Sequence, residues 1–469
     1  MIVTAIVVVP LFAAFLCTLP VVSRAARPLS IVCGLAVSAL AATAFVATGA
    51  PELRTTWASD LGAGYGVAVD GLSAAFLMLV GLVFATGAAA SGRVGHRRAY
   101  FALWDLLLTF VAVVFVTRDL LLFFIGWEAC AVTLAVLLAG WGGYDRRGAA
   151  MRLVLHDLSA GALLLVGIVS VAVARGTLDI DALASRPIPG GVQLLPGLLC
   201  LAAFAARLPL FPLHGWLPRA HVAATAPIAL VLAGGFATTG AYGIVRVCLS
   251  LFPQGMSTAA PVLVALAAVG VLYGALVATR QDDLRRLLAF TSISQLNLIA
   301  LALFAATATS LRGAILATVS HGLVIGSAFL LAAMVARRTS SFALSRAGGL
   351  AAATPVLAAL FTLTVFAAVG VPGTSGFAGD AVALAGAYER FPAATGAAAL
   401  VFIIASVSGL RAVRRAFNGP PLATGADIKW REQLLVVPLL LLVVALGVAP
   451  RVLTDRIADE ALPSLDQRR

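Results

Sequence analysis

Apolar runs of about 20 residues recur from one end of this sequence to the other, separated by short stretches that hold most of the charge. A run of that length crosses a hydrocarbon core of roughly 30 Å as a helix, so the pattern makes lipid the chain's main solvent. Of 469 residues, 61% are hydrophobic and only 11% charged, and the mean hydropathy is +1.05. This leaves no composition for a separate soluble domain. The runs fall at 2–22, 29–48, 68–91, 100–117, 120–140, 151–175, 197–213, 226–250, 260–279, 287–306, 311–336, 349–372, 376–417 and 432–452. The stretch 376–417 is too long for one helix and is read as a re-entrant half helix followed by a full one. A transmembrane barrel would show alternating segments of about ten residues, which the sequence lacks. The expected fold is therefore all-α, a polytopic bundle of about fourteen crossings.

A formal charge of +12 in one patch would point to nucleic acid, but here the basic residues recur at alternate loops and no nucleic-acid partner is expected. Arg24 and Arg27, then Arg93, Arg97 and Arg98, then Arg146 and Arg147 follow the first, third and fifth spans. Arg219, then Arg280, Arg285 and Arg286, then Arg337, Arg338 and Arg346 follow the seventh, ninth and eleventh. Arg411, Arg414, Arg415 and Lys429 precede the last. The intervening loops are poor in Arg or carry acids such as Glu52, Asp60, Asp179 and Asp181. The positive-inside rule places the basic loops in the cytoplasm and both termini on the periplasmic or extracellular side of a bacterial inner membrane. Residues 2–22 lack the basic start and small-residue cleavage site of a secretory signal, so they are expected to stay as the first helix. Cys17, Cys33, Cys130, Cys200 and Cys248 lie within apolar spans without C-x-x-C spacing and are read as packing residues.

Pro and Gly interrupt the apolar helices in two patterned places, Arg207-Leu-Pro-Leu-Phe-Pro-Leu-His214 and Val369-Gly-Val-Pro-Gly-Thr-Ser-Gly376. Counted from residues 100 and 260, Pro209 and Pro372 fall roughly 109 and 112 residues in, the matched-position signal of inverted transporter repeats. The organisation read from this is a single membrane domain: N-terminal helices 1–99, a first inverted repeat 100–250, a second 260–417 and a last helix 432–452. Five crossings per repeat is odd, so the copies have opposite topology.

Ionisable groups at membrane depth cost at least about 2.5–3.5 kcal/mol and need a partner or a task. Glu128 lies mid-span with no charged neighbour for at least eight positions; it either pairs with a base from another helix or carries protons. Arg207, just before the first break, is its expected partner, and the two are read as a proton site held by a fixed charge or as a structural ion pair. Asp380 follows the second break and mirrors the first site, as a relay group or a half-helix cap. His321 is read as a relay near neutral pH or a packing group. His156 and Asp157 sit just inside the sixth span, His156 as a further relay candidate. His214 and His221 flank the turn Gly215-Trp-Leu-Pro-Arg219 and are read as shaping it, and Asp70 and Asp105 are placed near span ends, within snorkelling reach of water. With no dinucleotide fingerprint, Walker loop or metal-ligand cluster, no cofactor is assigned to this chain, and any redox chemistry is expected in partner chains.

At these residues the sequence resembles the antiporter-like subunits of respiratory complex I, most closely the M type of bacterial NADH-quinone oxidoreductase. The matching stretches are Val69-Asp-Gly-Leu-Ser73, Asp119-Leu-Leu-Leu-Phe-Phe-Ile-Gly-Trp-Glu128, Leu208-Pro-Leu-Phe-Pro-Leu-His-Gly-Trp-Leu-Pro-Arg-Ala-His221, Gly240-Ala-Tyr-Gly-Ile-Val-Arg246, Asp283 to Gln295, Ser320-His-Gly-Leu323 and Val371 to Asp380. The resemblance implies fourteen helices with two inverted five-helix repeats, helices seven and twelve broken. It also implies proton translocation alongside other membrane-arm subunits and iron-sulfur redox subunits that pass electrons to quinone. The family's glutamate of helix five matches Glu128, its helix-eleven histidine His321 and its helix-twelve acid Asp380. Its lysines of helices seven and eight fall at Arg207 and Thr238, and the chain has one lysine, Lys429. Membrane-bound hydrogenases, sodium/proton antiporters and inorganic-carbon uptake systems use similar subunits, so an ion or inorganic-carbon transporter and a non-conducting structural subunit stand as alternatives. No long amphipathic helix follows the last span, which favours the M type over the L type.

Overall fold

The structure, a computed structural model, describes residues 2–47, 52–58, 63–92, 94–186, 188–419 and 426–461; Asp60 and Arg93, counted above among the loop charges, lie outside them. Chain order gives α1 Ile2–Thr18, α2 Ala26–Val46, β1 Glu52–Ala58, β2 Ala63–Ala68, α3 Gly71–Ala90, α4 Arg97–Val116, α5 Leu120–Trp141, α6 Arg146–Arg175 and α7 Leu194–Arg207. Then come α8 Leu217–Ala223, α9 Ala226–Leu249, α10 Pro253–Ala278, α11 Leu284–Ala305, α12 Ala308–Thr339 and α13 Pro355–Ala368. Last are α14 Ser375–Tyr388, α15 Pro392–Phe417, α16 Trp430–Val448 and α17 Arg451–Ala461. Among the described residues eleven helices are long and apolar enough to cross a membrane, and α1, α7 and α13 are shorter apolar helices. The chain divides into two compact units: Met1–Leu208 with Gly235–Leu263 and Asp455–Arg469, and Pro209–Gly234 with Val264–Thr454.

The helix ends follow local chemistry. α1 stops at Thr18 rather than running to 22, because Pro20 lacks an N–H and disfavours helix at the residue before it. Asp70 starts α3 by accepting from the Ser73 N–H at 2.9 Å, and Asp119 starts α5 by accepting from Leu121 and Leu122. Asp283 does the same for α11 and Thr307 for α12. The two Pro/Gly breaks end helices as the sequence predicts. α7 stops at Arg207, and α13 stops at Ala368, before Gly370 and Gly373 at φ +76 and +90, a region where glycine pays no Cβ penalty. The stretch 376–417 resolves into short α14 and long α15.

Two expectations need correction. The loop after α2 contains an antiparallel hairpin, Glu52 opposite Ala68 and Thr56 opposite Gly64, so Glu52 is a strand residue. Asp105 does not snorkel: it is 0% exposed within α4 and accepts from Ser30 at 2.8 Å. Asp70, too, is tied inside the first unit. Its Oδ2 meets Arg118 at 2.8 Å and Arg246 at 2.5 Å, and Arg246 also donates to the Tyr242 hydroxyl. Burial alone would raise the Asp70 carboxyl, but Arg246 and Arg118 together hold it well below the ordinary carboxylate range. A lowered folded pKa contributes stability that is complete above the unfolded value of about 3.9 and is lost only as pH falls through the lower folded one.

In the second unit α12 and α14 approach backbone to backbone. A Cβ on Gly313 would lie 2.1 Å from the Ala383 nitrogen, one on Gly379 2.7 Å from the Ala317 Cα, and one on Gly386 2.1 Å from the Ser310 nitrogen. Small residues at such spacing are the usual means of close helix packing where no hydrophobic force acts between helices.

Two outcomes are expected. Asp70→Asn should cost about 3–5 kcal/mol by removing the carboxylate that buried Arg118 and half-buried Arg246 share, read as a lower unfolding midpoint at neutral pH. Gly313→Leu should prise α14 from α12 and cost at least about 1–3 kcal/mol, read by thermal unfolding of the purified chain in nanodiscs.

Candidate functional site

In the first unit, the end of α7 places Arg207 between α5, α6 and α9. Close packing brings it there: a Cβ on Gly167 would meet the Cys200 sulfur at 2.6 Å, and one on Gly240 would meet the Leu208 nitrogen and the Phe204 carbonyl oxygen at 2.9 Å. Arg207 is fully buried. Its Nε donates to Asp157 Oδ1 at 2.9 Å, and its Nη2 donates to Asp157 Oδ2 and, at 2.9 Å, to the Trp127 carbonyl. Nη1 reaches the Thr239 hydroxyl at 3.4 Å. The guanidinium lies 3.3 Å from the Trp127 ring centroid and 4.3 Å from that of Phe236. This is a bidentate, aromatic-flanked ion pair, the geometry for which arginine is suited and lysine is not.

The partner of Arg207 is therefore Asp157 of α6, and the expected Arg207–Glu128 pair is not formed. The reason is helical geometry. Trp127 turns its carbonyl and ring to Arg207, and Glu128, one residue or about 100° further round α5, projects elsewhere. Its carboxylate lies against α6 at Gly161, where a Cβ would fall 1.5 Å from Oε1. Gly161 is one turn beyond Asp157 on the same face, so Glu128 lies within electrostatic range of both Asp157 and Arg207. Among the described residues neither carboxylate oxygen of Glu128 has a hydrogen-bond partner, and both are shielded from solvent. His156 is half-buried beside Asp157 in sequence. Thr238 is buried and donates to the Gly235 carbonyl of its own helix.

In the second unit, His321 of α12 is buried between two residues of α11. Its Nε2 lies 3.1 Å from the Ser292 hydroxyl and its Nδ1 3.1 Å from Gln295 Oε1. Gln295 in turn donates to the Ala368 carbonyl at the end of α13, at 2.9 Å. Asp380 lies on α14 beside Gly379. It is not a helix cap, because Thr374 caps α14 by accepting from Phe377. Asp380, Gln295, Thr291, Ser294 and Ser408 supply the polar lining of a small cavity of about 20 Å³, room for one water. His214 stacks with Phe211 and meets Tyr273 at a tilt, and His221 stacks with Phe329.

The sequence reading named Asp157 without giving it a task, and missed Gly161, Gln295 and Ser292. Gln295 and Ser292 both lay in the quoted stretch Asp283 to Gln295, without a task of their own; Gly161 becomes visible only once the helices are paired. The two breaks, the buried acids and the arginine-fixed charge define an antiporter-like membrane subunit. Residues 117–407 match the family model described as NADH:quinone oxidoreductase/Mrp antiporter, TM. The chain is 36% identical over 420 residues, 86% of its length and 80% of the relative's, to NAD(P)H-quinone oxidoreductase chain 4 1 of Synechococcus sp. (strain JA-3-3Ab). It is 32% identical over 415 residues, 85% of its length and 81% of the relative's, to NADH-quinone oxidoreductase subunit M of Rhodobacter capsulatus. Among solved structures it is similar to a chain of respiratory complex I from Thermus thermophilus, with a TM-score of 0.90 and 29% identity over 99% of this chain and 100% of that one. A chain of the Mrp complex from Dietzia sp. DQ12-45-1b shares the fold, with a TM-score of 0.87 and 23% identity over 99% and 97%. The chain belongs to the NADH:quinone oxidoreductase/Mrp antiporter membrane family.

The ion-pair assignment sets an order of stabilities. Asp157→Ala should cost about 3–5 kcal/mol because Arg207 remains buried and cannot give up its proton, whereas Glu128→Gln, which breaks no bond, should cost far less. Unfolding midpoints in nanodiscs in the reverse order would show that Arg207 depends on Glu128 after all.

Proposed function

We propose that this chain is a proton-translocating membrane subunit of a complex I-like or membrane-bound hydrogenase-like assembly. It couples electron transfer in iron-sulfur partner chains, which pass electrons to quinone or to protons, to proton movement through its own helices. It holds no redox centre itself. The observation that carries the reading is Glu128, a carboxyl at mid-helix with no hydrogen-bond partner among the described residues, lodged against Gly161 beside the Arg207–Asp157 pair. A buried acid so placed binds and releases a proton under the influence of nearby charge. His321 and Asp380 take the corresponding part in the second unit, and His156 is the further relay candidate beside Asp157. The alternating arginine loops support a bacterial inner-membrane orientation with basic loops cytoplasmic and both termini on the opposite side. Names of relatives such as subunit M and chain 4 support membrane-arm neighbours as partners.

One observation favours a second reading, a structural subunit that keeps the fold without conducting. A guanidinium keeps its charge, and hydrogen bonds and ring contacts hold Arg207 where it is, so it cannot relay protons as a lysine does. The two readings separate in one experiment. In vesicles holding the intact complex, Glu128→Gln should leave assembly and electron transfer in place while proton uptake per electron falls. An unchanged ratio in the fully assembled variant would mean that the chain is a scaffold.

A further inference from the structure

We infer that Gln295 is a positioning residue that fixes His321 in one tautomer, with the proton on Nδ1 and the lone pair of Nε2 aimed at Ser292. The inference follows from donors and acceptors alone. The Ala368 carbonyl can only accept, so the group of Gln295 that faces it at 2.9 Å is the NH2. The amide oxygen of Gln295 then faces His321 Nδ1 at 3.1 Å. An amide oxygen also can only accept, so Nδ1 carries a hydrogen. A neutral imidazole has one N–H, which leaves Nε2 as the acceptor, and the Ser292 hydroxyl 3.1 Å away donates to it. One asymmetric side chain thus passes the polarity of a helix end to the ring: Ala368 is the last residue of α13, where backbone carbonyls lack an intrahelical partner. Gln295, Ser292 and His321 belong to neighbouring helices in the same unit, and His321 and Ser292 are buried, so bulk water does not compete for these bonds.

The consequence for transport, which rests on the function proposed above, is directional. His321 gains a proton only at Nε2, from the Ser292 side, and the proton on Nδ1 stays there, donated to the Gln295 amide oxygen, unless that amide turns. Gln295 contributes through the orientation of His321 and needs no proton of its own.

The test reads the tautomer directly. In the full chain labelled with 15N-histidine and held in nanodiscs, the His321 signals, assigned by their loss in His321→Gln, should show a protonated Nδ1 and an unprotonated Nε2. Gln295→Met, similar in length but without an acceptor, should lose that signature, and Gln295→Glu, which keeps an acceptor, should retain it. Ser292→Ala should also retain it, because Gln295 sets the tautomer alone. A wild-type ring protonated at Nε2, or a Gln295→Met chain that is folded yet keeps the Nδ1–H signature, overturns the assignment. In vesicles of the intact complex, proton uptake per electron should fall in Gln295→Met and recover in Gln295→Glu. A shifted tautomer with an unchanged ratio would instead remove His321 from the proton path while leaving the tautomer assignment, and the separate result for Glu128, untouched.

Discussion

A guanidinium that cannot lose its proton, enclosed at the centre of a helix cluster, is the constraint around which the first unit is organised. Arg207 must have a carboxylate, its remaining donors must have oxygens, and its faces must be covered. Asp157, the Trp127 carbonyl and the Thr239 hydroxyl meet the first two needs, and the Trp127 and Phe236 rings meet the third. These groups come from α5, α6 and α9, so satisfying one side chain of α7 fixes the relative positions of four helices. A buried pair of this kind is weak evidence of net stability. What it supplies is a definite geometry and a constant positive charge near the Glu128 carboxylate.

Most of the fold was legible because hydropathy is a one-dimensional signal and lipid reads it literally. The helix breaks were legible for the same reason, since Pro209, Gly370 and Gly373 act through their own backbone. Partner choice was not legible. Taking the sixth span as 151–175 put Asp157 at its edge; α6 in fact runs Arg146–Arg175, so Asp157 lies more than three turns inside and is buried. Asp105 was misread in the same way, by reckoning depth from the ends of an apolar run. The hairpin of β1 and β2 escaped because two short strands give too little alternation to register.

Absent side chains matter as much as present ones in both candidate sites. Gly161 gives the Glu128 carboxylate its place, and Gly379 lets α14 lie against α12 so that Asp380 is buried. Neither glycine is at a positive φ, so neither is required by its own backbone. Their roles are visible only as the volume a neighbour occupies, and a sequence read residue by residue assigns them none.

The helix α9 contains two π turns, Leu232–Phe236 and Ile244–Leu249. A π turn carries one more residue than an α turn, so it behaves as an insertion written into the backbone. Everything beyond it is rotated by about 100° relative to an uninterrupted helix. Just after the first of these turns stand two adjacent threonines: the side chain that meets Arg207 is that of Thr239, and Thr238 donates instead to the Gly235 carbonyl. Which of two adjacent threonines faces the guanidinium is thus decided by a count of backbone atoms rather than by side-chain chemistry.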